Sequence, residues 1–140
     1  MDLNSSLKDD PSIPDSESLL KTVHPTQVKD GNTVSTGAFK SRTNPHTSVE
    51  LGSLTTPEDT LKRRAQDAGV VRLATGAVRG IKPGVVGVSR HPIPESELQR
   101  ANPAHAIIIR QLKPNRVYKE AAYTLATLCE WVIGPAPARP

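Results

Sequence analysis

Aromatic and sulfur-bearing side chains are scarce in this sequence. Its 140 residues include one cysteine, one methionine, one tryptophan, one phenylalanine and two tyrosines. A single thiol excludes an intramolecular disulfide and a zinc cluster built from cysteines. Because Cys129 falls in an apolar stripe at helical spacing, we expect it to be a small buried hydrophobic residue in a reducing compartment. With so few rings, the core is expected to consist of Val, Ile, Leu and Ala.

Long apolar runs are also missing. The longest purely apolar stretch is residues 106–109, far short of the roughly 18 residues that a membrane-spanning helix needs. Residues 1–16 lack the basic segment followed by an apolar segment that marks a secretory signal. These absences predict a soluble protein without membrane contact, located in the cytoplasm.

Charge is distributed unevenly along the chain. The net charge is +4, but residues 1–20 hold five acids against one lysine, a net charge of −4, so the other 120 residues carry +8. A basic body favours acidic or phosphate-rich partners, and an acidic arm can fold back over it. Alternatively, the charges serve solubility alone. The first interpretation predicts a small accessory protein that binds an acidic protein or a nucleic acid. The candidate contacts are Lys62, Arg63, Arg64, Arg72 and Arg79.

Composition divides the chain into three parts. Residues 1–16 are rich in Asp, Ser, Asn and Pro. We expect them to form a disordered acidic arm, because few apolar side chains are present to offset the entropy of ordering. Residues 17–133 are predicted to form a single α+β domain. Residues 134–140, with three prolines and two alanines, are expected to be a flexible tail.

Hydrophobic periodicity predicts a small, mostly antiparallel sheet of about five strands with two helices. One helix is expected at residues 57–68, where Thr56 can cap and Pro57 suits the first turn. Apolar residues at three-four spacing predict the other at residues 115–133, packed across the sheet. An Asp-Gly pair predicts a hairpin turn at residues 29–32, and residues 75–79 are either a short helix or a hairpin arm. Strands are expected at residues 33–40, 47–51, 70–73, 85–89 and 104–112, with a hairpin across residues 44–45.

Short segments in a fixed order carry a resemblance over most of residues 19–133. They include HPTQV at residues 24–28, STGAF at 35–39, TSVE at 47–50 and NPAHA at 102–106. In order and spacing they resemble a family of small uncharacterised bacterial proteins. The resemblance implies a common fold and assigns no activity, since none of the segments is a known catalytic signature.

An enzyme is the alternative functional hypothesis. His24 lies at a corner limited by Pro25, and His105 opens a buried strand. Since imidazole acts as acid and base near neutral pH, the two rings are candidates for metal-independent cleavage of RNA or a nucleotide. Equally, each ring can be a core or edge histidine bonded to a backbone carbonyl. The candidate phosphate contacts are Lys21, Lys40 and Arg42.

Hydroxyls provide a variant of the enzyme hypothesis. Ser35 and Thr36 precede Gly37, where a ligand or another backbone can approach closely. A strand with small hydroxyl residues is similar to those of ADP-ribosyl-transfer enzymes, which commonly need a glutamate late in the sheet. The last predicted strand ends Arg110-Gln111 instead, which counts against this variant.

No metal site and no cofactor is predicted. The four histidines show none of the short spacings that place two ligands on one metal. The glycines form neither a phosphate-binding loop nor a dinucleotide fingerprint.

Overall fold

The computed structural model describes residues 8–40, 46–64, 66–97 and 100–135. They form an α+β fold with a six-stranded antiparallel sheet, one long helix and two short ones, which confirms the predicted class with about one strand more. None of the helices in this part of the chain combines the length and apolar character that a membrane crossing requires. The elements are β1 (Ser18–Val23), β2 (Val28–Lys29), β3 (Thr33–Val34), β4 (His46–Leu51), α1 (Pro57–Lys62), β5 (Gly69–Ala74), α2 (Thr75–Arg79), β6 (Val85–Arg90), β7 (His105–Arg110), α3 (Asn115–Leu128) and β8 (Glu130–Ile133).

The main sheet has the strand order β6-β7-β4-β1-β5-β8, and every neighbouring pair is antiparallel. The predicted turn at residues 29–32 is confirmed: β2 and β3 form a small separate hairpin across Asp30–Asn32. Gly31 lies there at a φ of 77°, a conformation that glycine adopts without strain. Residues 75–79 are a helix.

One face of the sheet builds the core beneath α3. Leu19 lies opposite Leu51 on one side and Leu73 on the other, so these three share a face. Ala121 and Leu125 of α3 belong to the same buried cluster. The three-four spacing that predicted this helix thus marks the side that packs on the sheet. The opposite face carries the next residues along each strand and forms the cleft described below.

The long helix ends earlier than its sequence pattern predicts. It stops at Leu128, and residues 130–133 turn back as β8, where Trp131 lies opposite Val71. Cys129 has an extended backbone at φ −72° and ψ 150° and is half-buried. The predicted helix over 129–133 is wrong because hydrogen bonding to β5 competes with helix propagation. Similarly, the helix predicted over 57–68 ends at Lys62.

The segment predicted as a strand at residues 33–40 forms a strand only at Thr33–Val34. Thr36–Phe39 form a 3-10 turn, in which the Ser35 hydroxyl accepts a hydrogen bond from the Gly37 N–H at 3.2 Å. The turn drives Phe39 into the core, where it is 1% exposed. Residues 44–45, where a hairpin was predicted, lie outside the described residues, and β4 pairs with β1 and β7.

Residues 8–16, the part of the acidic arm that the structure describes, lie against the sheet. Ile13 is completely buried within the core cluster. The Asp10 N–H donates to the Val88 carbonyl at 2.8 Å, and the Val88 N–H donates to Asp9 Oδ1 at 2.9 Å. A single apolar side chain and backbone bonds to β6 thus anchor a segment whose composition is otherwise polar. Residues 1–7 lie outside the described residues.

Candidate functional site

A cleft of about 390 Å³ opens on the face of the sheet opposite α3. Strands β1, β4 and β7 supply its floor, since Leu20 lies opposite Glu50 and Glu50 opposite His105. Helix α1 with the turn after it forms one wall, and the loop between β6 and β7 forms another. The polar lining consists of Lys21, Thr22, His24, Gln27, Ser48, Glu50, Thr60, Arg63, Arg64, Asp67, Asn102 and His105.

Glu50 is the central group of this cleft. Its Oε1 accepts a 2.8 Å hydrogen bond from the Thr60 hydroxyl, and its Oε2 accepts 2.8 Å bonds from Arg63 Nε and Asn102 Nδ2. Arg63 also donates from Nη2 to Oε1, which makes the ion pair two-pronged. Burial alone would raise the pKa of Glu50, but the bonds from Arg63, Thr60 and Asn102 hold it below its ordinary value. One carboxylate thereby ties α1 and the β6–β7 loop to the sheet.

His24 has a structural role that its sequence context explains. It is the N-cap of a 3-10 turn at Pro25–Gln27, and its Nδ1 accepts a 3.2 Å hydrogen bond from the Thr26 N–H. The Gln27 side chain reaches back to the His24 N–H at 2.9 Å, completing a capping box. Since Nδ1 accepts, the neutral ring carries its proton on Nε2. The HPTQ segment is therefore a turn signature as well as a candidate site.

His105 is paired with His91 and not with His24. Its Nδ1 lies 2.7 Å from the His91 carbonyl oxygen, which only accepts, so Nδ1 carries the proton and Nε2 is left as a base. The two rings lie 5.3 Å apart with their Nδ1 atoms at 3.3 Å. Burial is the main cause that lowers the pKa of His105. The hydrogen bond to the His91 carbonyl opposes it in part, the His91 ring lowers the pKa further, and Glu50 raises it slightly.

The structure brings together two of the four residues in the enzyme hypothesis. His24 and His105 line the same cleft, whereas Ser35 and Thr36 are not among the residues that line it. Ser35 caps the 3-10 turn, and Thr36 lines a separate groove near the end of α3. Arg42 lies outside the described residues.

The predicted basic contacts do not form one continuous surface of free cations. Lys62 lies 3.8 Å from Asp59, Arg63 binds Glu50, and Arg72 pairs with Glu130 at 3.1 Å. Arg79 donates to Asp9 at 2.9 Å and to Asp15 at 2.8 Å, so the acidic arm does fold back on a basic residue. Arg64, which lines the cleft, has no ion pair within the described part of the chain.

Arg110 is buried on the α3 side of the sheet, and Lys21, which also borders the cleft, is half-buried. Arg110 is 2% exposed, with its guanidinium 4.7 Å from the Tyr118 ring centroid, and its Nε and Nη1 find no hydrogen-bond partner among the described residues. Lys21 Nζ lies 5.7 Å from the centre of the Phe39 ring. Burial lowers the pKa of both groups. Phe39 and Asp67 are thus the neighbours of Lys21, which weakens its candidacy as a phosphate contact.

Sequence reasoning missed Glu50, Thr60, Asn102 and His91 as members of the site. A signal existed for two of them, because Glu50 ends the TSVE segment and Asn102 begins the NPAHA segment. Among the described residues, no group of three His, Cys, Asp or Glu side chains is placed to hold a metal ion.

The chain matches no family model, no curated protein and no solved structure. The resemblance carried by the four short segments therefore stays a prediction.

Proposed function

We propose that the protein binds a phosphate-bearing ligand, a nucleotide or a short stretch of single-stranded nucleic acid, in the cleft around Glu50. The observation that carries this proposal is that His24, Arg64 and His105, from three separate segments, line one cleft. Arg64 is the phosphate contact, because Arg63 is already held by Glu50 in a two-pronged pair.

The other lining groups suit the polar parts of such a ligand. His24 Nε2–H and the Ser48 hydroxyl are donors, whereas His105 Nε2 is an acceptor. Asp67 also lines the cleft and offsets part of the Arg64 charge. Recognition is therefore expected to depend on one phosphate and several hydrogen bonds, and not on a wide positive field.

This proposal narrows the interpretation drawn from charge. Four of the five basic contacts predicted from the sequence are engaged by acids of the same chain. An acidic protein or a long nucleic acid laid across them would have to compete with those pairs. A ligand in the cleft need not break any of these ion pairs. Arg63 is the one residue of the four pairs' cations that also lines the cleft, and it stays bound to Glu50 while Arg64 contacts the phosphate.

Salt dependence of oligonucleotide binding tests the proposal. If a single strand makes one phosphate contact, the slope of log affinity against log salt concentration is expected to be about −0.7. Several phosphate contacts would give a proportionally steeper slope. Arg64→Gln is expected to remove this slope and weaken binding, measured by anisotropy of a labelled single-stranded oligonucleotide. Arg72→Gln is the control, because it removes one exposed arginine that does not line the cleft. Equal effects of the two changes, or no binding by the unmodified protein, would refute the proposal.

Cleavage of RNA is the second candidate, supported by the tautomer of His105. With Nδ1–H bonded to the His91 carbonyl, Nε2 can take the proton of a ribose 2′-hydroxyl as its oxygen attacks phosphorus. The P–O5′ bond then breaks and the leaving oxygen takes a proton from water. His24 serves here as a hydrogen-bond donor to phosphate, because protonating Nδ1 would break its cap. His105→Gln is expected to lower turnover by about a hundredfold with little change in binding, and absence of cleavage by the unmodified protein would leave binding alone.

A further inference from the structure

The four aromatic rings of the chain divide into two pairs with different environments. Phe39 and Tyr118 are buried at 1% and 8% exposure. Tyr123 and Trp131 both line a second groove of about 430 Å³, and Tyr123 is 65% exposed. Half of a very small set of aromatic residues is therefore placed around one surface groove, where an apolar core does not account for it.

The groove lies between the β2–β3 hairpin, the last turns of α3 and strand β8. Trp131 is held in a fixed orientation there, since its indole N–H donates to the Asn32 carbonyl at 2.7 Å. Its ring also packs on Gly69, where a Cβ would lie 3.1 Å from the ring edge. A ring fixed in this way loses little conformational freedom when a ligand stacks on it.

Apart from Lys29, the rest of the lining is neutral or self-compensated. Burial raises the pKa of Cys129 to about 11, so its thiol is uncharged and not nucleophilic at neutral pH. Glu130 is paired with Arg72 at 3.1 Å. Thr36 contributes a hydroxyl and Lys29 an ammonium on the side of the groove formed by the β2–β3 hairpin. Such a lining suits a flat, uncharged ring with polar atoms at its edge.

We propose that this groove binds a planar heteroaromatic ring of the nucleobase class, stacked between Tyr123 and Trp131. Base–aromatic stacking is tolerant of base identity, because every base has a π face. The groove shares no lining residue with the cleft around Glu50, so the inference stands independently of the function proposed for that cleft.

The position of the only tryptophan makes the test direct. Fluorescence of the full chain, excited where tryptophan absorbs and tyrosine does not, reports on Trp131 alone, and adenosine is the probe because it carries a base and no phosphate. Saturable quenching by adenosine is expected, with none from ribose. Tyr123→Ala is expected to weaken adenosine binding about tenfold or more, whereas Tyr123→Phe, which keeps the ring, retains it.

Two controls make the result decisive. Leu54→Ala removes an exposed apolar side chain outside the groove and is expected to change nothing. Arg64→Gln alters the other cleft and is expected to leave adenosine quenching intact, so that failure of one proposal does not imply failure of the other. Absence of saturable quenching by adenosine, or equal affinity in Tyr123→Ala, would overturn this inference. Since Tyr123 is largely exposed, its replacement is expected to fold normally, which circular dichroism verifies.

Discussion

Asp9 lies directly over Gly87, so closely that a Cβ on the glycine would come within 2.7 Å of the Asp9 Cα. Gly87→Ala is therefore expected to push residues 8–16 away from β6 and expose Ile13. We expect a loss of about 1–3 kcal/mol in the free energy of unfolding, measured by chemical denaturation. Gly37→Ala is the control, because its nearest contact is an ordinary 3.5 Å to Ser35 Oγ. A Gly87→Ala protein as stable as the control would show that the segment contributes nothing.

Acid stability is expected to depend on Glu50. The folded pKa of this carboxyl is below its ordinary value, so its contribution is complete above that ordinary value and is lost as pH falls through the lower folded pKa. Glu50→Gln removes the titrating group. It is expected to be less stable at neutral pH, since Arg63 loses its charged partner, and to show a flatter stability profile between about pH 5 and pH 3. Parallel profiles for the two proteins would contradict the assigned role.

Histidine protonation is expected to destabilise the start of β7. Burial lowers the folded pKa values of His105 and His46, so the stability they provide is present above the ordinary value of 6.5 and is lost as pH falls through the lower folded pKa. The groups facing His105 are His91, whose Nδ1 lies 3.3 Å away, and Glu50. His105→Gln is expected to flatten the fall in melting temperature below about pH 6.5. His24→Gln, at the exposed cap, is the comparison and is expected to keep the fall.

Arg110 is expected to cost stability in the folded protein. Two of its guanidinium nitrogens are buried without a hydrogen-bond partner in the part of the chain that the structure describes, and burial lowers its pKa. Arg110→Met keeps much of the side-chain volume and removes the charge. We expect the free energy of unfolding to stay unchanged or to rise by about 1–3 kcal/mol. Marked destabilisation would show that the guanidinium is satisfied in solution.

The elements that the sequence predicted well are those coded by local patterns. The apolar run before Arg110 predicted an internal strand, and β7 indeed lies between β6 and β4. The end of α3 is not predictable in the same way, because the apolar stripe at helical spacing continues through Cys129 and Val132. Only the pairing of β8 with β5, about 60 residues away in the chain, decides that these residues are extended.

The candidate site shows the same limit. The sequence indicates His24 and His105 as separate candidates, because imidazole acts as acid and base near neutral pH and each has a proline nearby. The partners of His24 are local, since Thr26 and Gln27 belong to the turn that it caps, whereas His105 is bonded to His91 across a 14-residue separation that only the fold closes. The role of Glu50 is not predictable from the sequence, because a lone glutamate in a strand has no distinctive local pattern. Its role depends on hydrogen bonds from Arg63, at the end of α1, and Asn102, in the β6–β7 loop, which the fold brings to the same carboxylate.

The bonds between residues 9–10 and Val88 also affect how the protein behaves towards other chains. Strand β6 is an outer strand of the sheet, and an outer strand presents unpaired amides and carbonyls that can template association. The acidic segment covers part of that outer strand, since the Asp10 N–H donates to the Val88 carbonyl and Asp9 accepts from the Val88 N–H. Proteolytic loss of the first sixteen residues would consequently uncover the outer strand and remove a core contact. The shortened chain would be prone to self-association.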